Sequence, residues 1–299
     1  MPCWLICPCS STTTWSAAAA TVRRCEFRLP RVLTGLLVGA ALGLAGAVTS
    51  AVARNPLATP DVLGVTAGAS AAAVAVLLLG WRVPLSLAAL LGGLLTATLV
   101  AVLSWRGGLS GPRMVLVGIA CTALGSALTS FLLVRAELAD AQRAVVWLTG
   151  SLSGRGWEHV QPVGLALLLL VPLTLLLGRQ LALLQLGDDL ARVLGTRVTL
   201  ARTALLAAAV ALASVATASA GPVSFVALLA PQVALRLARS AGPPLVGSAA
   251  TGALLVVAAD LVGRTLPLDT DLPVGAVTAL LGAPLLLVML RRSLTGRTS

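Results

Sequence analysis

Lysine and tyrosine are absent from this 299-residue sequence, histidine occurs once, phenylalanine three times, and only 10% of residues are charged. So little charge excludes an ordinary soluble domain, because a core of this size cannot be clothed in a polar shell. The 21 arginines stand between apolar runs rather than on one face with aromatic neighbours, which excludes a nucleic-acid-binding surface. No G-x-x-x-x-G-K-[ST] loop occurs, so the chain hydrolyses no ATP itself. Cys3, Cys7, Cys9, Cys25 and Cys121 lack the paired spacing and the histidines of a zinc module, and no metal site is expected. His159, between Glu158 and Val160 at a span edge, has no partners for a catalytic constellation and is read as an interfacial polar residue. No alternating pattern suggests a β-barrel.

Apolar length is what the sequence has in plenty. Hydrophobic residues make up 58% of it and the mean hydropathy is +1.00. Stretches near the bilayer-crossing length of about 20 residues lie at Val32–Ala53, Val62–Gly80, Pro84–Ser104, Met114–Val134, Val160–Gly178, Thr203–Ala220, Val223–Leu237, Leu245–Val262 and Leu272–Leu290. In lipid a helix satisfies its own backbone, so the fold class is all-α: a polytopic helical membrane protein with nine visible transmembrane helices. Gly221-Pro222 cuts the charge-free run from Thr203 to Leu235 into two helices, the second kinked at Pro231. Gly35, Gly39, Gly43 and Gly46, like Gly64 and Gly68, let helices approach closely, as a packed bundle requires. Trp81, Trp105, Trp147 and Trp157 near span ends read as an interfacial belt.

With nine alternating spans and a cytoplasmic C-terminus, 12 arginines face inward (54, 106, 113, 179, 192, 197, 202, 236, 239, 291, 292 and 297), against 5 outward after the first span (82, 135, 143, 155 and 264). This asymmetry has the sense of the positive-inside rule, although Arg23, Arg24, Arg28 and Arg31, before the first span, count against it. Residues 1–26 form an atypical N-terminal segment, neither signal peptide nor full span, readable as a degraded first span, an extension or a mis-assigned start. Residues 27–299 form the transmembrane domain.

Several motifs in order carry a resemblance. Arg28-Leu29-Pro30-Arg31, Arg54-Asn55-Pro56-Leu57-Ala58, Leu63-Gly64-Val65-Thr66-Ala67-Gly68-Ala69, Val117-Gly118-Ile119-Ala120 and Trp147-Leu148-Thr149-Gly150-Ser151-Leu152 come first. Then follow the segments 186–195 (LGDDLARVLG), 220–226 (AGPVSFV), Ala259-Asp260-Leu261 and 272–284 (LPVGAVTALLGAP). Together they resemble, over residues 27–292, the permease family of iron-siderophore, haem and cobalamin ABC importers, the FecCD type. The resemblance implies a cobalamin-permease-like bundle of ten helices, of which the first is the one not visible here. It also implies Pro-His where this chain has Pro231-Gln232, an exchange tolerable if the role is hydrogen bonding.

The polar stretch Leu183–Arg202 lies on the cytoplasmic side, with Leu186, Leu190, Val193 and Leu194 near helical spacing and Gly187 and Gly195 as brackets. The resemblance makes Gly187, Asp188, Asp189, Leu190, Arg192, Val193 and Gly195 the coupling helix that docks on the ATPase; local physics alone allows a capped connecting helix. Arg28, Arg31 and Arg264, at outer span ends, match the family's arginines that meet acidic residues of a binding protein; membrane-edge anchoring, or pairing of Arg264 with Asp260, is the plain alternative. The implied partners are two ABC ATPase subunits carrying the ATP, a second permease copy or paralogue, an extracytoplasmic substrate-binding protein and the bilayer. No cofactor binds this chain. The expected function is import of an iron-siderophore or a similarly bulky chelate (haem, cobalamin) across the cytoplasmic membrane by alternating access. The rival is an ion-coupled secondary transporter, for which the spans hold almost none of the required buried ionisable groups.

Overall fold

The computed structural model describes residues 26, 28–105, 111–238, 242–265 and 272–295. The readings of residues 1–25 with their four cysteines, and of Arg106, Arg239 and Arg297, lie outside them. Among the described residues the helices are α1 (Leu29–Ala53), α2 (Val65–Leu78), α3 (Leu85–Ser104), α4 (Gly111–Arg135), α5 (Leu138–Leu148), α6 (Trp157–Leu176), α7 (Gly178–Gln185), α8 (Asp188–Val193), α9 (Val198–Ala220), α10 (Val226–Ala238), α11 (Leu245–Thr265) and α12 (Val274–Thr295), with a 3-10 turn at Pro60–Leu63.

Each of the nine apolar stretches falls on a helix, and among the described residues six of these (α1, α3, α4, α6, α9 and α11) are long and apolar enough to cross a membrane alone. Two of the others, α2 and α10, are shorter for a local reason. The start of the second stretch winds into the 3-10 turn, and Gly64 then takes a left-handed φ of 77° before α2 begins. Likewise Gly221 (φ 78°) and Phe225 (φ 67°) bound an irregular segment before α10. Non-helical backbone at membrane depth survives only where protein covers it and pairs its polar groups. Here the Gly64 N–H donates to the Asp61 carbonyl (2.9 Å), the Leu229 N–H donates to the Phe225 carbonyl (2.8 Å), and Gly64 and Val223 are buried. The order of long helix, irregular break and short helix thus occurs twice, in α1–α2 and in α9–α10.

The centre of the bundle is α1, which packs on α11, α9 and α10. No charge interrupts it between Arg31 and Arg54, and Pro30 sits in its first turn, where a missing N–H costs nothing. Its 25 residues extend about 37 Å at 1.5 Å each, enough for the hydrocarbon core. It ends at Arg54 in the left-handed region (φ 51°), followed by Asn55-Pro56. One glycine face sets its packing: Gly39 and Gly43 lie on the backbone of Gly252 and Ser248 in α11, and Gly46 lies on that of Ala227 in α10, too close for a β-carbon. The close packing expected of small residues is therefore realised along this face. By contrast α4 keeps Leu116, Leu124 and Val134 more than two-thirds exposed, an apolar outer surface suited to lipid or to a partner chain.

Three of the recognisable motifs meet at one point. The Ser151 N–H donates to the Ala220 carbonyl (2.9 Å) and the Gly275 N–H to the Gly150 carbonyl (3.1 Å), tying together the end of α5, the end of α9 and the start of α12. Trp147 is pinned there, buried against Ala69, Ala73, Ala89 and Ala218. It is a packing residue rather than part of the interfacial belt, whereas Trp81, Trp105 and Trp157 are exposed near helix ends as expected.

Candidate docking and coupling sites at the two ends of the bundle

Past α6 the chain turns through α7, which Leu181 and Leu184 anchor in the core, and reaches Gly187 at φ 115°. An L side chain rarely adopts that angle, so glycine permits the reversal that starts α8. The far end of α8 is closed by a Schellman arrangement: Thr196 N–H to the Ala191 carbonyl (2.9 Å) and Gly195 N–H to the Arg192 carbonyl (3.0 Å), with Gly195 at φ 80°. Both bracketing glycines are thus used as turn points.

The two faces of α8 differ. Ala191 is fully buried against the bundle, while Leu190 (56% exposed), Val193 (84%) and Leu194 (57%) point away from it, beside exposed Leu186. Asp189 and Arg192 pair on the surface at 2.8 Å. Asp188 turns inward: its Oδ1 accepts from Arg54 Nη2 (3.0 Å) and Arg202 Nη2 (2.8 Å), joining α8 to the end of α1 and to the first turns of α9. Asp188 is therefore more than an acidic group at the start of a helix, because its carboxylate bridges two other helices. A signal was present in the sequence, since Asp188, Arg54 and Arg202 all fall on the cytoplasmic side of the arginine count.

At the other end of α1 lies a second ion cluster. Asp260, 4% exposed, accepts from Arg31 Nε (3.1 Å) and Nη2 (2.7 Å) at Oδ1 and faces Arg264 Nη2 at 3.2 Å through Oδ2. Arg28 is exposed. The three arginines expected to act alike thus differ, with Arg31 and Arg264 sharing one buried carboxylate and Arg28 turned to the surroundings. Arg31 and Arg54 are separated by 23 residues of helix, about 35 Å at 1.5 Å per residue, so the two clusters stand about a bilayer apart.

Two smaller features bear on function. Gln232 Nε2 donates to the Pro56 carbonyl (3.3 Å), the hydrogen-bonding role for which an amide can replace an imidazole. Asp61, in the 3-10 turn, accepts from the Thr66 hydroxyl, and its backbone carbonyl faces the Thr122 hydroxyl (3.5 Å) near the middle of α4, a polar point at membrane depth that span hydropathy does not reveal. His159 is held by Arg155 Nη1 (3.0 Å) beside Glu158 (3.6 Å) at the start of α6, with no nucleophile in this group. Among the described residues no three His, Cys, Asp or Glu side chains gather as a metal site.

Comparison with known proteins accounts for this arrangement. The model of the FecCD transport family matches residues 9–292, starting upstream of the Arg28-Leu29-Pro30-Arg31 motif. The ferric enterobactin transport system permease protein FepG of Escherichia coli (strain K12) is 43% identical over 267 residues, covering 89% of this chain and 81% of its own. The achromobactin transport system permease protein CbrC of Dickeya dadantii (strain 3937) is 46% identical over 274 residues, covering 89% and 77%. Among solved structures, an ABC transporter assigned to the metal-chelate type and captured facing inward is 29% identical, with a TM-score of 0.84 over 94% of this chain and 92% of that one. The rival reading as an ion-coupled secondary transporter finds no counterpart in these relatives. The chain belongs to the FecCD transport family and is a multi-pass permease of the cell membrane.

Proposed function

We propose that this permease is the channel-forming subunit of an ATP-driven importer of iron chelates. It pairs with a second permease chain, two ATPase subunits on the α8 side, and a substrate-binding protein at the opposite face. The cargo class rests on the relatives, whose names specify ferric enterobactin, achromobactin and ferric citrate. ATP hydrolysis is assigned to the partner because this chain lacks a phosphate-binding loop. On the outer face Arg28, Arg31 and Arg264 offer guanidinium groups to acidic residues of the binding protein, with Arg28 the most accessible.

The observation that carries the reading is the division of α8 into an anchored face and an exposed apolar one. Leu190, Val193 and Leu194 in water serve no purpose for a connecting helix, yet they supply apolar area to a cleft in a partner. Leu190→Asp places a charge in that contact, at a cost of about 2 to 4 kcal/mol. Co-purification of the ATPase subunits should fall, while the altered permease should still insert, since every apolar stretch is intact. Undiminished ATPase retention by the Leu190→Asp chain would refute the assignment.

A further inference from the structure

On the reading of α8 as the ATPase-docking helix, we propose that Asp188 is a positioning residue that carries movement of α8 into the bundle, separately from docking itself. α8 is six residues long and buries only Ala191 of its side chains. Its apolar footing on the bundle is therefore one small side chain, and it is flanked by glycines at φ 115° and 80°. What ties it down is Asp188, whose Oδ1 bonds to Arg54 and Arg202.

The places these two arginines occupy are what give the contact its mechanical meaning. Arg54 is the left-handed cap of α1, so its position is fixed by the end of that helix. Arg202 lies one turn into α9 with its side chain 11% exposed, away from the solvent that weakens surface ion pairs. α1 and α9 are the two most buried of the six long helices, at 72% and 61%. Asp188 therefore links the docking helix to the bundle's two innermost elements through charge-assisted bonds that fix direction as well as distance. The docking residues Leu190, Val193 and Leu194 take no part in these bonds. Docking and transmission lie on different sides of one short helix, and single substitutions should separate them.

The test uses the whole importer, the permease co-expressed with its ATPase subunits and reconstituted with its binding protein. It measures ATPase subunits retained per permease and chelate imported per ATP hydrolysed. The tracer is whichever of ferric enterobactin, ferric achromobactin and ferric citrate the unaltered importer carries. Asp188→Asn should retain the ATPase subunits and import about tenfold less per ATP, within the range typical of lost coupling between sites. Arg54→Gln, which leaves the Arg202 arm, should lose less, and Asp188→Glu, which keeps the charge, should restore most of the ratio. Leu190→Asp should instead lose the ATPase subunits; if it does not, the docking reading fails on its own. Asp188→Asn with an unaltered ratio overturns the proposal, as does Asp188→Asn that sheds the ATPase subunits, since Asp188 would then belong to the docking surface. Should the Asp188→Asn chain fail to reach the membrane, an unaltered ratio in Arg54→Gln overturns it equally.

Discussion

Asp260 satisfies two arginines with one carboxylate, and its 4% exposure makes that arrangement costly to break. Removing one partner of a buried ion pair typically costs about 3 to 5 kcal/mol, because the remaining charge keeps its desolvation without its counter-charge. Asp260→Ala should fall near the lower end, about 3 kcal/mol, since Arg264 is a third exposed and can turn to water. Arg28→Ala, on an exposed side chain, should stay within about 0.5 kcal/mol. Thermal unfolding midpoints in detergent check both, and equal shifts in the two variants would contradict the division of roles. The sequence alone suggested pairing of Asp260 with Arg264 from their one-turn spacing. The stronger contact, with Arg31 at a separation of 229 residues, follows only from the packing of α1 on α11.

Among the elements, α1 is the one whose sequence is most tightly constrained by its neighbours. Gly43 rests on the Ser248 carbonyl, so a side chain there must push α11 outward. Gly43→Leu should cost at least the usual 1 to 3 kcal/mol, roughly, of overpacking, and more because the obstacle is backbone. Leu36→Met at an exposed position of the same helix should be neutral. The yield of monodisperse protein and its thermal midpoint report the difference. Hydropathy located all nine apolar helices because an unbroken run of about 20 apolar residues is a strong signal. It began α2 and α10 three residues too early, because residues 62–64 at the close of the 3-10 turn and the irregular segment 223–225 before α10 carry no charge to set them apart from the helices they precede. It missed α5 and α7, whose short lengths and mixed polarity resemble loops. The short helix α8 was legible through its bracketing glycines and four leucine and valine positions, but the inward turn of Asp188 was not, since it depends on which helix ends come together.

For the molecule as a whole, two ion clusters about 35 Å apart along α1 mark opposite faces of the membrane. The arginine asymmetry of 12 to 5 assigns the Asp188 cluster to the cytoplasm. In a cysteine-free background an impermeant thiol reagent applied from outside should therefore label Asp140→Cys and spare Asp189→Cys; the reverse pattern would invert the topology. The central claim is that import is powered by ATP on partner subunits docked at α8. Its most direct test is chelate uptake by vesicles holding the permease, its second permease chain, the ATPase subunits and the binding protein, with ATP supplied on the α8 side and ion gradients collapsed. Uptake should proceed under those conditions and cease when either ATP or the ATPase subunits are withheld. Uptake that continues without them and follows a proton or sodium gradient would contradict the account.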